Sequence, residues 1–444
     1  MIRALLRWII GIIVFLLVLA LLLFSPVDNS PIEEKPFYQK TLAALDTFPL
    51  EKRAPTTATQ AAWFKVNITP STTMPMAGYT PRDHFDAVHD SLFIRGLILS
   101  NGAAKVYFIT ADLLIFPPSL KEKIRQAYPA PGALYYFMAT HAHSSLGTWD
   151  NSVVGNVILG RYNDDFWNEV TNRVVTKLKE AEQHLITSRV YYLEPDASEF
   201  VENRLDYQQG AVDGKVRSIK IIRSDSTKAL WMTFSAHPTN IGHLNLTLSG
   251  DYPNALIKRA EADFDFAMFS TGMVGSHRVK GMEKKEFDMC DELAGKLYPK
   301  LETAPALKLK DSVTMTLASL PLKYGKSQMH VFQKFAVRDW AFNALLRPLQ
   351  GNINYCQLGP ILFLGTPCDF SGEIFAEEKL GEIAERQGQK LFITSFNGDY
   401  TGYISYDKYY GNSEQEEVMA LNWVGPHFGK YYTDVMKKIL ARSK

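Results

Sequence analysis

Residues 135–144 read Tyr135-Tyr136-Phe137-Met138-Ala139-Thr140-His141-Ala142-His143-Ser144. The apolar half is short, aromatic-rich and unbroken, which predicts a strand buried on both faces. Two histidines one residue apart follow it. On an extended strand side chains alternate with period two, so both point the same way and can share a metal or a substrate group. The bland alternative is a pair of hydrogen-bonded core histidines, the commoner fate of a lone histidine. Two at a strand end, followed by Ser144 and Gly147, favour a site.

Working outward, similar apolar runs at 105–110, 190–193, 218–222 and 230–235 read as strands, several with both faces buried. Helical periodicity lies between them. In 164–184, Phe166, Val170, Val174, Leu178 and Ala181 recur at three- and four-residue spacing behind Asn163 or Asp164 as a cap. A second helix is predicted over 284–301, and an apolar stripe over 428–440 ends the chain. With no internal repeat and no linker, 60–444 reads as one α/β catalytic domain, a mixed β-sheet with flanking helices.

In front of it stands a different object. Arg3 and Arg7 precede an uncharged run from Trp8 to Phe24, about 25 Å of helix at about 1.5 Å per residue, enough to cross a bilayer when its flanks reach the interface. Residues 1–24 are therefore expected to be one transmembrane signal-anchor helix. The arginines before it and Asp28, Glu33 and Glu34 after it predict a single-pass topology, with the catalytic domain on the periplasmic or extracellular side. A cleaved signal peptide is the alternative. Its cleavage site would need small residues where Leu21-Leu22-Leu23-Phe24-Ser25-Pro26 stands. Pro26, Pro31 and Pro36 make 25–59 read as a stalk.

Composition excludes some classes. Lys and Arg total 48 against 47 Asp and Glu over 444 residues, without the basic surplus that a nucleic-acid partner requires. Three cysteines, Cys290, Cys356 and Cys368, allow at most one bridge and no cysteine-rich zinc module. Oligomeric state leaves no mark on the sequence.

Three more strand ends carry chemistry. The run 230–235 enters Ala236-His237-Pro238-Thr239, where neutral imidazole is a common zinc ligand and Pro238 stops the strand. A structural histidine is the alternative there. The run 361–365 breaks at Thr366-Pro367-Cys368-Asp369, whose carboxylate is a hard oxygen donor, and 391–394 breaks at a glycine-rich loop holding Tyr400 and Tyr403. Tyrosines in such a loop are more often plain packing.

In order, these segments resemble the catalytic domain of the neutral, non-lysosomal ceramidases, from about residue 64 to the end. Asn67-Ile68-Thr69-Pro70, Met76-Ala77-Gly78-Tyr79, the His89 to Gly96 segment and residues 107–113 are modest landmarks. Thr140-His141-Ala142-His143-Ser144 is similar to the family's Thr-His-Thr-His-Ser, and Ala236-His237-Pro238-Thr239 to its Val-His-Pro-Thr. Asn203-Arg204, the Tyr403 region and Gly425-Pro426-His427 resemble further motifs. The resemblance implies a zinc ion on His141, His237, Asp369 and Tyr403. It implies that His143 and Arg204 face the substrate and stabilise charge on a scissile carbonyl, and that Ser276 takes the place of an active-site serine.

The departures are as informative. The family's Pro-Gly-Glu reads Pro367-Cys368-Asp369, one methylene shorter, so either the turn moves inward or another acid, Glu373 being nearest, replaces it. Glu373 otherwise reads as a solvated carboxylate opening a surface helix. Gly-Asp-x-Ser-Pro becomes Gly275-Ser276-His277-Arg278, Gly-Pro-Gly-Gly becomes Ser145-Leu146-Gly147-Thr148, a later tyrosine is lost near Glu417, and the C-terminal β-sandwich of larger ceramidases is not expected. The expected function is zinc-dependent hydrolysis of an amide in a lipid or other N-acyl small molecule, such as ceramide, at a membrane. The alternatives are an inactive lipid-binding relative, or a zinc hydrolase of another amide or ester.

Overall fold

The computed structural model describes residues 2–443 apart from Thr80, Gln333 and Asn412. The apolar runs pair into a nine-stranded sheet. Its order is Phe266–Thr271, Lys228–Phe234, Arg217–Arg223, Ile186–Leu193, Gln60–Asn67, Phe93–Ser100, Lys105–Ala111 and Ala133–Ala139, with Leu307–Lys308 added beside Ile186–Leu193. The outermost pair at each end is parallel and the interior is antiparallel, so the sheet is mixed, as its sequence predicts.

The two ends of this strand order meet. Thr110 Oγ1 donates to the Phe269 carbonyl (2.8 Å) and Thr271 Oγ1 to the Thr140 carbonyl (2.7 Å). The sheet therefore curls until the strand leading to His141 stands beside the strand neighbouring the one that leads to His237. A second sheet, Lys52–Arg53, Met315–Pro321, Asn352–Leu358, Ile361–Gly365 and Lys390–Thr394 in that order, faces the first.

Period-two alternation sorts the side chains into layers. Phe108 and Trp231 of the first sheet meet Phe363 and Phe392 of the second, with ring centroids 4.7 to 5.3 Å apart. Each buried Phe contributes about 1.5–3 kcal/mol. The opposite faces are covered by helices: Pro118–Ala127 and Asp164–Glu182, Asp251–Ala260 and Glu286–Thr303 on the first sheet, and Gly372–Glu377, Leu380–Glu385 and Phe428–Arg442 on the second. The long predicted helices fall within a few residues of their expected ends. Asn163 caps Asp164–Glu182 by accepting from the Phe166 amide.

The segment 25–59 corrects its reading as a stalk, because it is packed into the body. Pro36 sits at the first position of the helix Pro36–Thr47, where its missing N–H costs nothing. Ile32, Tyr38 and Leu45 are buried in the core beneath Phe428–Arg442. Tyr38 donates to Asp434 (2.7 Å), Thr41 and Tyr431 exchange a hydrogen bond (2.9 Å), and Lys52–Arg53 joins the second sheet. In front, Phe24–Pro26 pairs with Phe335–Val337.

The helix Ile2–Leu23 has mean hydropathy 2.9 in its most apolar window and no buried residue. It is long and apolar enough to cross a membrane, a property that a signal sequence near an N-terminus shares. All three cysteines are buried and unbridged.

Candidate metal centre and active site

His141 lies just beyond the strand Ala133–Ala139 and has left the extended conformation, with φ of 61°. Period-two alternation therefore does not relate the two histidines, since a left-handed residue breaks that register. What aims His141 is its own packing: the ring stacks on Phe396 (4.3 Å, 16°) and its Nδ1 faces the Leu114 carbonyl at 2.5 Å. His143 turns its Nδ1 to the Gly78 carbonyl (2.8 Å), and His237 turns its Nδ1 to the Val274 carbonyl (3.3 Å). Gly78 has to be glycine. Its φ is +101°, and a β-carbon there would sit 2.2 Å from the His143 carbonyl oxygen.

With Nδ1–H donated to a carbonyl in each ring, all three Nε2 atoms are left as acceptors. They converge. His141 Nε2 is 2.8 Å from His237 Nε2 and 3.2 Å from His143 Nε2, and the last two are 3.1 Å apart. Burial holds the His141 and His237 imidazoles far below their ordinary pKa and lowers His143 to about 3, so the rings stay neutral. Three neutral lone pairs at these separations repel one another unless a cation lies among them.

Oxygen donors complete the cluster. Asp369–Phe370 and Tyr403–Ile404 are short parallel strands with Asp369 and Tyr403 in register. Tyr403 hydroxyl lies 3.3 Å from His237 Nε2, and Asp369 Oδ1 lies 3.3 Å from His141 Nε2. Asp369 is fully buried, and its Oδ1 has no hydrogen-bond partner, whereas Oδ2 accepts from Tyr400 (2.7 Å). Burial raises the Asp369 carboxyl to about 7, against the Tyr400 hydrogen bond and the Arg204 charge, which pull it down. A buried carboxylate oxygen left bare beside three imidazole acceptors fits a divalent cation, and the N₃O₂ donor set suits zinc.

Of the sequence-derived site residues, the structure brings His141, His143, His237, Asp369 and Tyr403 together. His143 was expected on the substrate side, yet it contributes its Nε2 to the same triangle as the other two histidines. Arg204 stands beside them, its guanidinium 5.3 Å over the Tyr403 ring, paired with Glu417 at 2.6 Å, and with Nε buried and unpartnered. Ser276 is not brought in. Its Oγ meets Ser371 Oγ (2.9 Å) and accepts from the Glu373 amide (3.1 Å), because its turn crosses the segment 369–373, with Gly275 N–H on the Phe370 carbonyl.

Glu373 corrects its reading as a solvated carboxylate. It is fully buried, accepts from Tyr409 at 2.8 and 3.0 Å, and lies 2.5 Å from Lys408 Nζ. With both oxygens engaged it is no substitute for Asp369. Sequence reasoning missed Tyr400, Phe396 and the three carbonyls that orient the rings. Tyr400 had a signal, its place in the same glycine-rich loop as Tyr403, while backbone carbonyls leave none.

A cavity of 620 Å³ opens over His141, His143 and Tyr403. Its walls are largely apolar, with Leu114, Ile115, Val154, Ile158, Leu159 and Trp423 among them. His143→Ala separates two roles for this ring. As a ligand it is expected to lower zinc content and zinc affinity by at least about 10-fold. As a substrate contact it leaves full zinc and lowers turnover alone; metal analysis of the purified variant reads the difference.

No protein-family model and no curated protein matches the chain. Among solved structures it is similar to the neutral ceramidase from Pseudomonas aeruginosa, with a TM-score of 0.73 at 14% identity over 87% of this chain and 75% of that one. It is also similar to a ceramidase solved in complex with C2, with a TM-score of 0.74 at 14% identity and the same coverage. The chain thus has the neutral ceramidase fold.

Proposed function

We propose that the chain is a zinc-dependent hydrolase that cleaves the amide bond of an N-acyl lipid, ceramide being the nearest example. The observation that carries this reading is the convergence of three neutral imidazole Nε2 atoms, bare Asp369 Oδ1 and Tyr403 hydroxyl beside a largely apolar cavity that His141, His143 and Tyr403 line. In this reading His141, His143, His237, Asp369 and Tyr403 hold the ion. Zinc, when bound, would supply a Lewis acid and lower the pKa of a water to about 7.

The chain's own groups do the rest. Leu114, Ile115, Ile158 and Trp423 take the acyl chain and keep bulk water away from the amide. Arg204 presents an unpartnered Nε–H for the oxygen on which charge develops, and Glu417 fixes the direction of its guanidinium. Tyr400 holds Asp369 Oδ2, leaving Oδ1 turned inward. Ser276 has no chemical role. In this reading the helix Ile2–Leu23 crosses a membrane, and the flanking Arg3 and Arg7 support an inner N-terminus with the domain outside.

The test is turnover by the full chain in detergent micelles, with and without zinc, against N-acyl sphingoid bases, N-acyl ethanolamines and simple esters. Fatty-acid release from N-acyl lipids, abolished by a chelator and restored by zinc, is expected. A folded, zinc-loaded protein that hydrolyses none of them supports a lipid-binding protein instead, and release from esters alone identifies a different bond.

A further inference from the structure

Beyond the N-terminal helix, exposed large apolar side chains are concentrated in one place. Val331, Phe332, Phe335, Trp340 and Leu345 all fall between residues 331 and 345, with Phe332 64% and Trp340 58% exposed. Beside them the helix Val153–Ile158 packs against Asp339–Leu345 and carries Val157, 72% exposed. Soluble surfaces rarely collect side chains of this kind without something to cover them.

Two further observations say what covers them. The patch is bonded to the last turn of the apolar helix: Arg338 donates to the Leu21 carbonyl (3.1 Å), Trp340 to the Leu22 carbonyl (3.2 Å), and the Arg338 amide to Leu23 (2.8 Å). The strand Phe24–Pro26 pairs with Phe335–Val337. Those carbonyls have no partner within the helix and would need water or lipid headgroups if the body did not meet them. Exposed Lys326, Lys334 and Arg338 lie on the same segment, the arrangement in which cationic tips reach lipid phosphates while aromatic rings sit at headgroup depth.

The same two elements form the mouth of the catalytic cavity. Val154 and Ile158 come from one, and Leu346 and Arg347 directly follow the other; Arg347 pairs with Asp150 across the gap.

We propose that this collar is seated in the headgroup layer of the bilayer crossed by the N-terminal helix, so that the cavity above the histidines opens onto lipid and not onto bulk water. The helix then acts as more than a tether. Its rigid bonding to the collar fixes the orientation of the domain, and a lipid substrate reaches the cavity by rising along the collar without leaving the membrane. The proposal deepens the reading of the site as one for an N-acyl lipid and rests on it for the substrate; the seating itself does not depend on catalysis.

Single cysteines at Phe332, Phe335, Trp340 and Val157, placed in the full chain and labelled with a nitroxide, test it in phosphatidylcholine–phosphatidylglycerol vesicles. The three native cysteines are buried, so the label goes to the introduced site. Collision rates with oxygen and with a water-soluble nickel chelate report depth, with a label at Val14 as the lipid reference. Severalfold protection from nickel at Phe332, Phe335 and Trp340 is expected, with oxygen access approaching that at Val14. Nickel access as free as that of a soluble nitroxide at all three positions would overturn the proposal. No turnover enters the measurement, so lipid-seated labels on an inactive protein would sink the hydrolase reading and leave the docking intact.

Discussion

Replacing His141 or His237 with alanine is expected to reduce bound zinc from about one equivalent to a small fraction of it, and turnover by at least about 100-fold. Loss of a residue that merely orients a ligand already costs about 10–100-fold, and these two rings supply donors themselves. The fold should survive. His237 follows the strand Lys228–Phe234 and His141 follows Ala133–Ala139, so neither holds a ladder together, and truncation removes one ring stacked on Phe396 or Tyr403. Metal analysis and thermal unfolding read both effects. A chelator should lower the unfolding temperature of the parent and leave the double variant unmoved, because only the parent has a bound state to lose. Full zinc occupancy in the double variant would remove the assignment.

The acid at 369 carries the second large effect. Asp369→Asn keeps the shape and the oxygen that accepts from Tyr400 but removes the charge beside the three imidazoles. Zinc affinity is expected to fall at least about 10-fold, and hydrolysis to vanish into the background. Glu373→Gln should act differently. Its carboxylate is buried against Tyr409 and Lys408, so the change is expected to cost about 1–3 kcal/mol of stability with zinc affinity unaltered. Chelator competition and denaturant unfolding on both variants separate the two. Metal loss in Glu373→Gln with retention in Asp369→Asn would exchange the roles of the two acids.

What the sequence disclosed follows from how far each signal reaches along the chain. His141 and His237 were legible because each ends an apolar run, and strand ends are where a rigid scaffold meets a cleft. The helix Asp164–Glu182 was legible because its period and its cap are local. The packing of 25–59 was not. Prolines mark the same segment whether it hangs free or starts a helix, and the partner of Tyr38 is Asp434, almost the whole chain away. Glu373 was misread for the same reason, since Tyr409 and Lys408 reach it from a distant loop. The direction of His143 turned on the left-handed backbone of His141, which no propensity signals at a histidine. The neutral ceramidase resemblance supplied Asp369 and Tyr403, which residue types alone left as one acid and one tyrosine among many.

The curl that joins the two ends of the large sheet also governs when a metal could be bound. His141 and His237 are 96 residues apart, and Tyr403 lies another 166 beyond. Only two pairs lie close along the chain, His141 with His143 and Asp369 with Tyr403. Until the Thr110 and Thr271 hydrogen bonds bring Phe266–Thr271 against Lys105–Ala111 and against Thr140 at the end of Ala133–Ala139, the donors have no common centre. On the proposed zinc assignment, ion uptake would close the folding of the chain, and the affinity of the ion would count toward the finished state. A pairing pattern this non-local forms slowly. If the helix Ile2–Leu23 carries the chain across a membrane before it folds, the proposed zinc would come from the compartment in which folding ends.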